Sequence, residues 1–457
     1  MAVLERRIGV PGAIAIGLGA MIGAGLFFVW APAAAIAGPW LPAAIAIAAI
    51  IAVLNALSSA QLAMEHPVSG GAYAYGRAEV GERVGFAAGW MFLTGKTASA
   101  AAIAAIAGRH LLPEHASWVG AAAIVVLAAL NMLGVRVTAW VSSGIVALVL
   151  IVVLVALGWA ATGGETTLTS AAAEPVGASV SIGASLPVGA PLPDASPMPD
   201  ASPMSVLTAA GLLFFAFAGY ARMATLGEEV RQPRRTLPIA IMLGLGLVLA
   251  LYAAVGWATS ARLGDQLPAS ATPLADLVGA PGLHALVLGA GALACLGSLM
   301  GILAGLSRTG LAMARERDLP GPLSFIAART RTPVVAEAVT AVAALAAVLL
   351  LPAGSLVAFS STCVLTYYAL AHVSAIRMRA ARRVDMRASG IGASGAGASG
   401  TAAVGAVRLW LPAWVPWLGT VACLGVVLTL PWSGVLGAAA WLALGLTVRA
   451  LLRRRPR

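Results

Sequence analysis

The stretch Gly17-Leu18-Gly19-Ala20-Met21-Ile22-Gly23-Ala24-Gly25-Leu26-Phe27 places four glycines within nine residues of an apolar run that extends over residues 10–36. A membrane-crossing helix needs about 20 apolar residues, because each adds about 1.5 Å against a hydrocarbon layer of about 30 Å. The run is long enough, yet glycine weakens a helix and gives it no side chain to pack, so its repetition serves close backbone approach. Two readings follow. Gly19 and Gly23 stand in a G-x-x-x-G relation that suits tight helix packing. The other reading is a break near residues 20–23, exposing backbone N–H groups at the start of an outer half-helix, where they and the helix dipole hold an anion near the membrane midplane.

The rest of the chain agrees with a lipid setting. Of its 457 residues 60% are hydrophobic and 10% charged, with a mean hydropathy of +0.94, whereas ordinary soluble domains carry about 25% charged residues. The 28 basic and 17 acidic side chains are too few to cover a soluble body of this size. Apolar runs fall at 10–36, 41–63, 85–108, 117–135, 139–161, 205–226, 237–259, 283–307, 334–352, 354–376, 410–430 and 432–450, which predicts twelve spans. With the N-terminus inside, all but four of the 28 basic residues fall on the cytoplasmic side, as the positive-inside rule requires. The four are Arg109 and Arg262 outside, and Lys96 and Arg222 within spans. The expected location is therefore the inner or plasma membrane of the cell, multi-pass, with both termini cytoplasmic. Arg6 and Arg7 precede a first run too long and too glycine-rich for a secretory leader, so it reads as a retained span. The net charge of +11 belongs to short groups between apolar runs, so topology explains it and a nucleic-acid partner is not expected.

The sixth run offers a second weak point at Phe215-Ala216-Phe217-Ala218-Gly219-Tyr220, followed by Arg222 and by Gly227-Glu228-Glu229. Runs one and six hold the same rank when the first ten are split into two fives. Five being odd, the second set would be inverted across the membrane, as in many secondary transporters. The expected divisions are a first five-helix repeat at 1–161, a flexible external loop at 162–204 rich in Ala, Ser, Pro and Gly, a second repeat at 205–383, a flexible cytoplasmic linker at 384–409, and helices 11 and 12 with a basic tail at 410–457.

These motifs, taken together, are similar to the amino acid permeases of the amino acid-polyamine-organocation superfamily. The resemblance rests on the glycine-rich first span, on Pro67-Val68-Ser69-Gly70-Gly71-Ala72-Tyr73 with Gly85-Phe86 and Gly89-Trp90, and on Phe217-Ala218-Gly219-Tyr220. It continues through Glu228-Glu229-Val230-Arg231-Gln232-Pro233-Arg234-Arg235-Thr236-Leu237-Pro238, then Arg308, Ala312-Met313-Ala314-Arg315-Glu316-Arg317-Asp318-Leu319-Pro320 and Arg331-Thr332-Pro333. It implies an all-α integral membrane protein of twelve transmembrane helices, with a five-plus-five inverted core, discontinuous helices 1 and 6, and two added C-terminal helices. It also implies an amino acid held between those two helices. The carboxylate would meet N–H groups of Ala20, Met21, Ile22, Gly23, Ala24 and Gly25. The ammonium would meet carbonyls near Gly17–Gly19 and Phe215–Ala218, and the side chain would face Phe215, Phe217, Tyr220 and neighbours on the third and eighth helices, with Ala218 and Gly219 part of the same site. The family frequently has an acidic residue after the aromatic of the sixth-helix motif. Here Ala221 follows Tyr220, which favours a neutral over a cationic substrate.

Four charged residues are candidates for coupling or gating. Lys96 is the chain's one lysine and lies inside the third span among Thr94, Gly95, Thr97, Ala98 and Ser99, too deep to snorkel easily. It reads as a group in a polar cavity able to hold and release a proton, or as a structural hydrogen-bond donor to a broken-helix carbonyl. Some proton-coupled relatives carry a lysine on the fifth helix, which this chain lacks there. Arg222 cannot readily deprotonate, so a gate or brace paired with Glu228 or Glu229 is expected, and the two glutamates read as a gate latch. Pro233 and Pro238 are expected to stop and restart helices, Tyr73 and Tyr75 to lie over an inner vestibule, and Arg308–Pro320 to form a short solvated amphipathic helix.

An enzyme is not expected. His66, His110, His115, His284 and His372 form no H-E-x-x-H pattern, and no G-x-S-x-G or Walker sequence occurs. Cys295, Cys363 and Cys423 sit in apolar runs without C-x-x-C spacing, so neither disulfide nor metal is indicated and no cofactor is expected. The leading expectation is a secondary active transporter that imports neutral amino acids with protons by alternating access, its partners being the substrate and membrane lipid. An amino acid exchanger or exporter, cationic amino acid or polyamine transport and sodium coupling through Ser298 or Ser307 remain open, and a channel fits least. Monomer and homo-oligomer are both compatible with the sequence.

Overall fold

A computed structural model of the chain describes residues 6–167, 202–388 and 411–454. Most of the expected loop at 162–204 and of the linker at 384–409 lies outside the described residues. The first span is divided into α1 (Val10–Met21), α2 (Ala24–Phe28) and α3 (Trp30–Ala37). It is followed by α4 (Leu41–Glu65), the short α5 (Ala72–Glu79), α6 (Glu82–Leu111), α7 (Ala116–Met132) and α8 (Val135–Ala161). The sixth span comprises α9 (Pro203–Phe217) and α10 (Ala221–Ala224), and the seventh is α11 (Pro233–Leu263). A short outer helix α12 (Pro273–Asp276) precedes α13 (Pro281–Arg315), α14 (Val334–Leu350), α15 (Ala353–Ala388), α16 (Trp414–Thr429) and α17 (Trp432–Arg454).

Among the described residues nine helical spans are long and apolar enough to cross a membrane, while α7, α14 and α16 are shorter apolar helices of 17, 17 and 16 residues. The all-α, multi-spanning expectation is met, and nine of the twelve anticipated spans meet the length and composition of a crossing. Burial separates the centre of the bundle from its rim. On α6, Ala100, Ala101, Ala102 and Ala104 are fully covered, and these small side chains let α6 lie close along α13 and α15. By contrast Ile151 and Leu154 on α8, Val342 on α14, Val421 and Leu428 on α16 and Leu436 on α17 are exposed apolar residues of the kind a lipid belt covers. The centre therefore consists of the first, third, sixth, eighth and tenth spans.

The end of the bundle that carries Arg7 is held by charge. The segment before α1 pairs with the turn after α10: the N–H groups of Arg7 and Ile8 donate to the Glu229 carbonyl, each at 3.0 Å, and Arg231 N–H donates to the Ile8 carbonyl at 2.7 Å. Two expectations for this end are corrected. Pro233 opens α11 as anticipated, but Pro238 lies inside that helix and starts nothing new. Arg308–Pro320 is not a solvated helix beneath the core, since Arg308 belongs to α13 and is buried, and Asp318 is buried as well. The physical reason is partner supply. The Asp318 carboxylate accepts from Tyr73 Oη at 2.9 Å and Arg449 Nε at 2.7 Å and lies 3.4 Å from Arg77 Nη1, so α5, α17 and the end of α13 meet on one charge. Burial, together with Asp318 beside it, raises the Tyr73 phenol above its usual range. Tyr73 and Tyr75 are both buried, Tyr75 in an inner pocket with Thr225 and Tyr368.

Removing one member of such a cluster leaves the others buried without their counter-charge. Asp318→Ala should cost about 3 kcal/mol of stability, read as a lowered unfolding midpoint of the detergent-purified protein, while Asp265→Ala, at an exposed site, should leave it unchanged within error.

Candidate functional site

The four glycines act at the end of α1. That helix stops at Met21, Ile22 and Gly23 leave helical geometry, and α2 starts at Ala24. Gly23 is required here by space: a Cβ would overlap the Ser298 side chain on α13 and approach the Ala294 carbonyl. The interruption frees carbonyls that lipid cannot satisfy, and neighbouring spans supply donors. Ser298 Oγ donates to the Ala20 carbonyl at 3.1 Å, and Tyr252 Oη on α11 donates to the Met21 carbonyl at 2.7 Å. Beyond the break α2 and α3 run on through Val29 as one bent outer half, braced by the Trp30 indole N–H to the Leu26 carbonyl at 2.6 Å.

The sixth span departs from a plain helix less than the sequence implied. After Phe217 it tightens into a 3-10 turn over Ala218–Tyr220 and resumes as α10, so the chain stays wound. Close contact enforces the tight turn. A Cβ at Gly219 would fall on the Ala20 backbone, and Tyr220 stacks on Tyr368 of α15 with ring centroids 5.2 Å apart. The Ala218 carbonyl faces Lys96 Nζ at 3.1 Å. Lys96 is thus buried, lines a pocket, and donates to the distorted helix, as its structural reading anticipated.

The pocket is narrow and partly open, and is lined by Ala20, Met21, Gly25, Lys96, Ser99, Ile103, Phe215, Ala216, Gly219, Ser298 and Ile302. Of the anticipated substrate residues it gathers Ala20, Met21, Gly25, Phe215 and Gly219. Ile22 and Gly23 form the break itself, Ala24 starts α2, and Ala218 contributes its carbonyl. Phe217 and Tyr220 do not line it, because Phe217 packs on Tyr252 at 4.9 Å and Tyr220 turns to Tyr368. Sequence reasoning placed the third and eighth helices beside the side chain without naming Ser99, Ile103 or Ile302, and it missed the brace Tyr252. The spacing of Lys96, Ser99 and Ile103, and of Ser298 and Ile302, puts each set on one helix face and was a readable signal once Lys96 had been placed in a cavity.

Below the pocket, toward the Arg7 end, lies a buried charge cluster. Arg308 donates to Glu229 Oε1 from Nε at 3.1 Å and from Nη2 at 2.9 Å, and its Nη1 lies 3.6 Å from Glu337 Oε2 on α14. Asn131 Nδ2 on α7 donates to Glu337 Oε1 at 2.9 Å. Arg222 bonds Thr225 Oγ1 at 2.9 Å and lies 3.8 Å from Glu229, so its partner is Glu229 and not Glu228. Glu228 instead takes Arg315 at 2.9 Å and the Ser69 N–H at 3.2 Å. Four spans and the N-terminal segment converge on Glu229 and Glu337, neither of which faces water.

A family model described as amino acid permease matches residues 8–444 of this chain. The chain belongs to the amino acid permease family. This permease is 41% identical over 464 residues to an uncharacterized transporter of Mycobacterium tuberculosis, covering 99% of this chain and 93% of the relative. It is 25% identical over 492 residues to the branched-chain amino acid permease BcaP of Bacillus subtilis, covering 99% and 94%. It is 28% identical over 402 residues to a vacuolar cationic amino acid transporter of Arabidopsis thaliana, covering 82% of this chain and 60% of that protein. Its fold resembles the crystal structure of MhsT in complex with L-phenylalanine, with a TM-score of 0.62, 15% identity, and coverage of 93% and 99%. The permease is thus a multi-pass membrane transporter and not an enzyme.

The break sets a sharp requirement on two glycines. Gly219→Ala should lower substrate affinity by about a hundredfold, because a small displacement of the first span misplaces every donor around the seat, while the protein still reaches the membrane in normal amount. Gly23→Leu should likewise reduce uptake at normal expression. Unchanged uptake in either variant, measured per molecule at the surface, would remove the break from the transport site.

Proposed function

We propose that this permease moves a neutral α-amino acid by secondary-active alternating access, with the substrate seated in the pocket beside the break between α1 and α2. The interruption at Ile22–Gly23 carries this reading. The start of α2 offers N–H groups to a carboxylate, and the end of α1 offers carbonyls to an ammonium. An apolar wall of Ile103, Phe215 and Ile302 receives an uncharged side chain. The twelve-span topology with both termini cytoplasmic and an inverted five-plus-five core belongs to the same reading. Helices of 17, 17 and 16 residues reach about 25 Å at about 1.5 Å per residue, a shortfall against a hydrocarbon layer of about 30 Å that local thinning and snorkelling flanks accommodate. The divisions at 1–161, 205–383 and 410–457 follow that topology.

Sodium leads over the proton as the driving ion, which reverses the order expected from sequence. The end of α1 turns the Ala20 carbonyl toward Ser298 Oγ, with the Ala294 carbonyl on the same side, and an oxygen-lined broken helix end is where such transporters coordinate sodium. The specific observation favouring a proton is Lys96, the one ionisable residue among those lining the pocket. Direction of net movement follows from whichever gradient drives it.

Reconstitution into liposomes separates the readings. Uptake of a neutral amino acid should rise with an inward sodium gradient at equal pH on both sides, and Ser298→Ala should weaken its sodium dependence by about tenfold, the loss of one good ligand contact. Uptake that follows a pH gradient without sodium, and loses that dependence in Lys96→Met, would pass the driving role to Lys96. Transport seen only with amino acid on both sides would make the permease an exchanger.

A further inference from the structure

We infer that Lys96 is a charge filter on the substrate side chain, so that the pocket refuses amino acids carrying a second ammonium. The inference rests on the proposed function and names the class of substrate that its seat excludes. With the carboxylate at the start of α2 and the α-ammonium near the end of α1, the remaining wall is formed by α6 and α9, with Ile302 of α13 beside them. That wall carries Lys96, Ser99, Ile103 and Phe215. Lys96 Nζ is held against the Ala218 carbonyl at 3.1 Å, and the residue is 6% exposed. Ser99 is tied to Ser360 of α15 at 2.5 Å.

The sign of the field in this wall is uniform. Among the described residues none of those lining the pocket is acidic. Arg222, the next ionisable group on the sixth span, is a second cation, and Glu229, the carboxylate beside it, is engaged by Arg308. A zwitterionic head group brings no net charge, so its own ammonium is offset by its carboxylate. A side-chain ammonium has no such offset, and while Lys96 carries its proton it would meet a like charge in a poorly screened interior, lowering affinity by about tenfold or more. The Ala218 carbonyl accepts from Lys96 Nζ at 3.1 Å and faces Tyr368 Oη at 3.5 Å, so both of its lone pairs have donors and neither is left for an incoming cation. Several relatives are named as cationic amino acid transporters, which makes the filter a point of divergence that can be measured within one family.

The test uses the full-length purified protein and ligand pairs matched in size but not in charge: homoserine against 2,4-diaminobutyrate, and citrulline against arginine. Each competes with a labelled neutral amino acid in a binding assay. In the wild-type protein the neutral member of each pair should bind at least about tenfold better. Lys96→Met should bring each ratio to within about twofold, and Lys96→Arg should keep it. Equal binding within the pairs by the wild-type protein, or a ratio unchanged in Lys96→Met, would overturn the filter. Should Lys96→Met fail to purify as a single species, Lys96→Gln replaces it with the same expected collapse of each ratio. Failure of every α-amino acid to bind is a different result: it removes the transport reading, and the filter with it.

Discussion

A hydrogen-bonding backbone group cannot be left open in hydrocarbon, and the whole centre of this permease is arranged around that restriction. When α1 ends at Met21 in the middle of a span, its last carbonyls would each cost several kcal/mol unless donors were brought to them. Ser298 serves Ala20, Tyr252 serves Met21, and across the pocket Lys96 serves Ala218 of the sixth span. These donors come from the eighth, seventh and third spans. The break in the first span thereby ties down the seventh and eighth helices, the distorted sixth span ties down the third, and the cavity is the space those positions leave.

The charge cluster at the Arg7 end solves a different problem. Burying Arg222, Glu229, Arg308 and Glu337 together is expensive, and such clusters are weak sources of stability on their own. Their value lies in linking elements that can part. The N-terminal segment, α10, α13 and α14 meet at Glu229 and Glu337, while the Glu229 main chain also accepts from Arg7 and Ile8. Water can replace each of these bonds once the end opens, so the closed arrangement need not be deep in free energy. That is a property a gate requires and a packed hydrophobic core lacks.

Spans, their basic flanks and the break at Gly23 were legible in the sequence because each follows from local composition. So was the burial of Lys96, since a lone lysine in an apolar run has few alternatives. The aromatics were not. Phe217 and Tyr220 share the sixth-span motif with Phe215, but Phe217, two residues on in α9, falls on another face and packs on Tyr252, while the 3-10 turn that follows takes Tyr220 to Tyr368. Helical spacing assumes 3.6 residues per turn, and a tightened turn breaks that assumption where the function lies. Glu337 and Asn131 were missed for another reason. Their role depends on contacts with Arg308 and Met300, which are 29 and 169 residues away along the chain, and no local pattern encodes such pairs.

The unequal treatment of the two central spans carries a mechanical consequence. The first span is interrupted, with Ile22 and Gly23 outside helical geometry, whereas the sixth remains wound and is clamped by Tyr220 on Tyr368 and Phe214 on Tyr368. Motion that opens the pocket is therefore easier about the first break than about the sixth. Moving α1 away would strip the Ala20 carbonyl of Ser298 and the Met21 carbonyl of Tyr252, and those carbonyls must find new donors in the same instant. A substrate ammonium supplies them, and so does water, but water brings no carboxylate to the start of α2. In the binding mode proposed above, substrate would compensate both ends of the break at once, and this paired compensation would let binding energy, rather than thermal opening alone, select the conformation in which the seat is exposed.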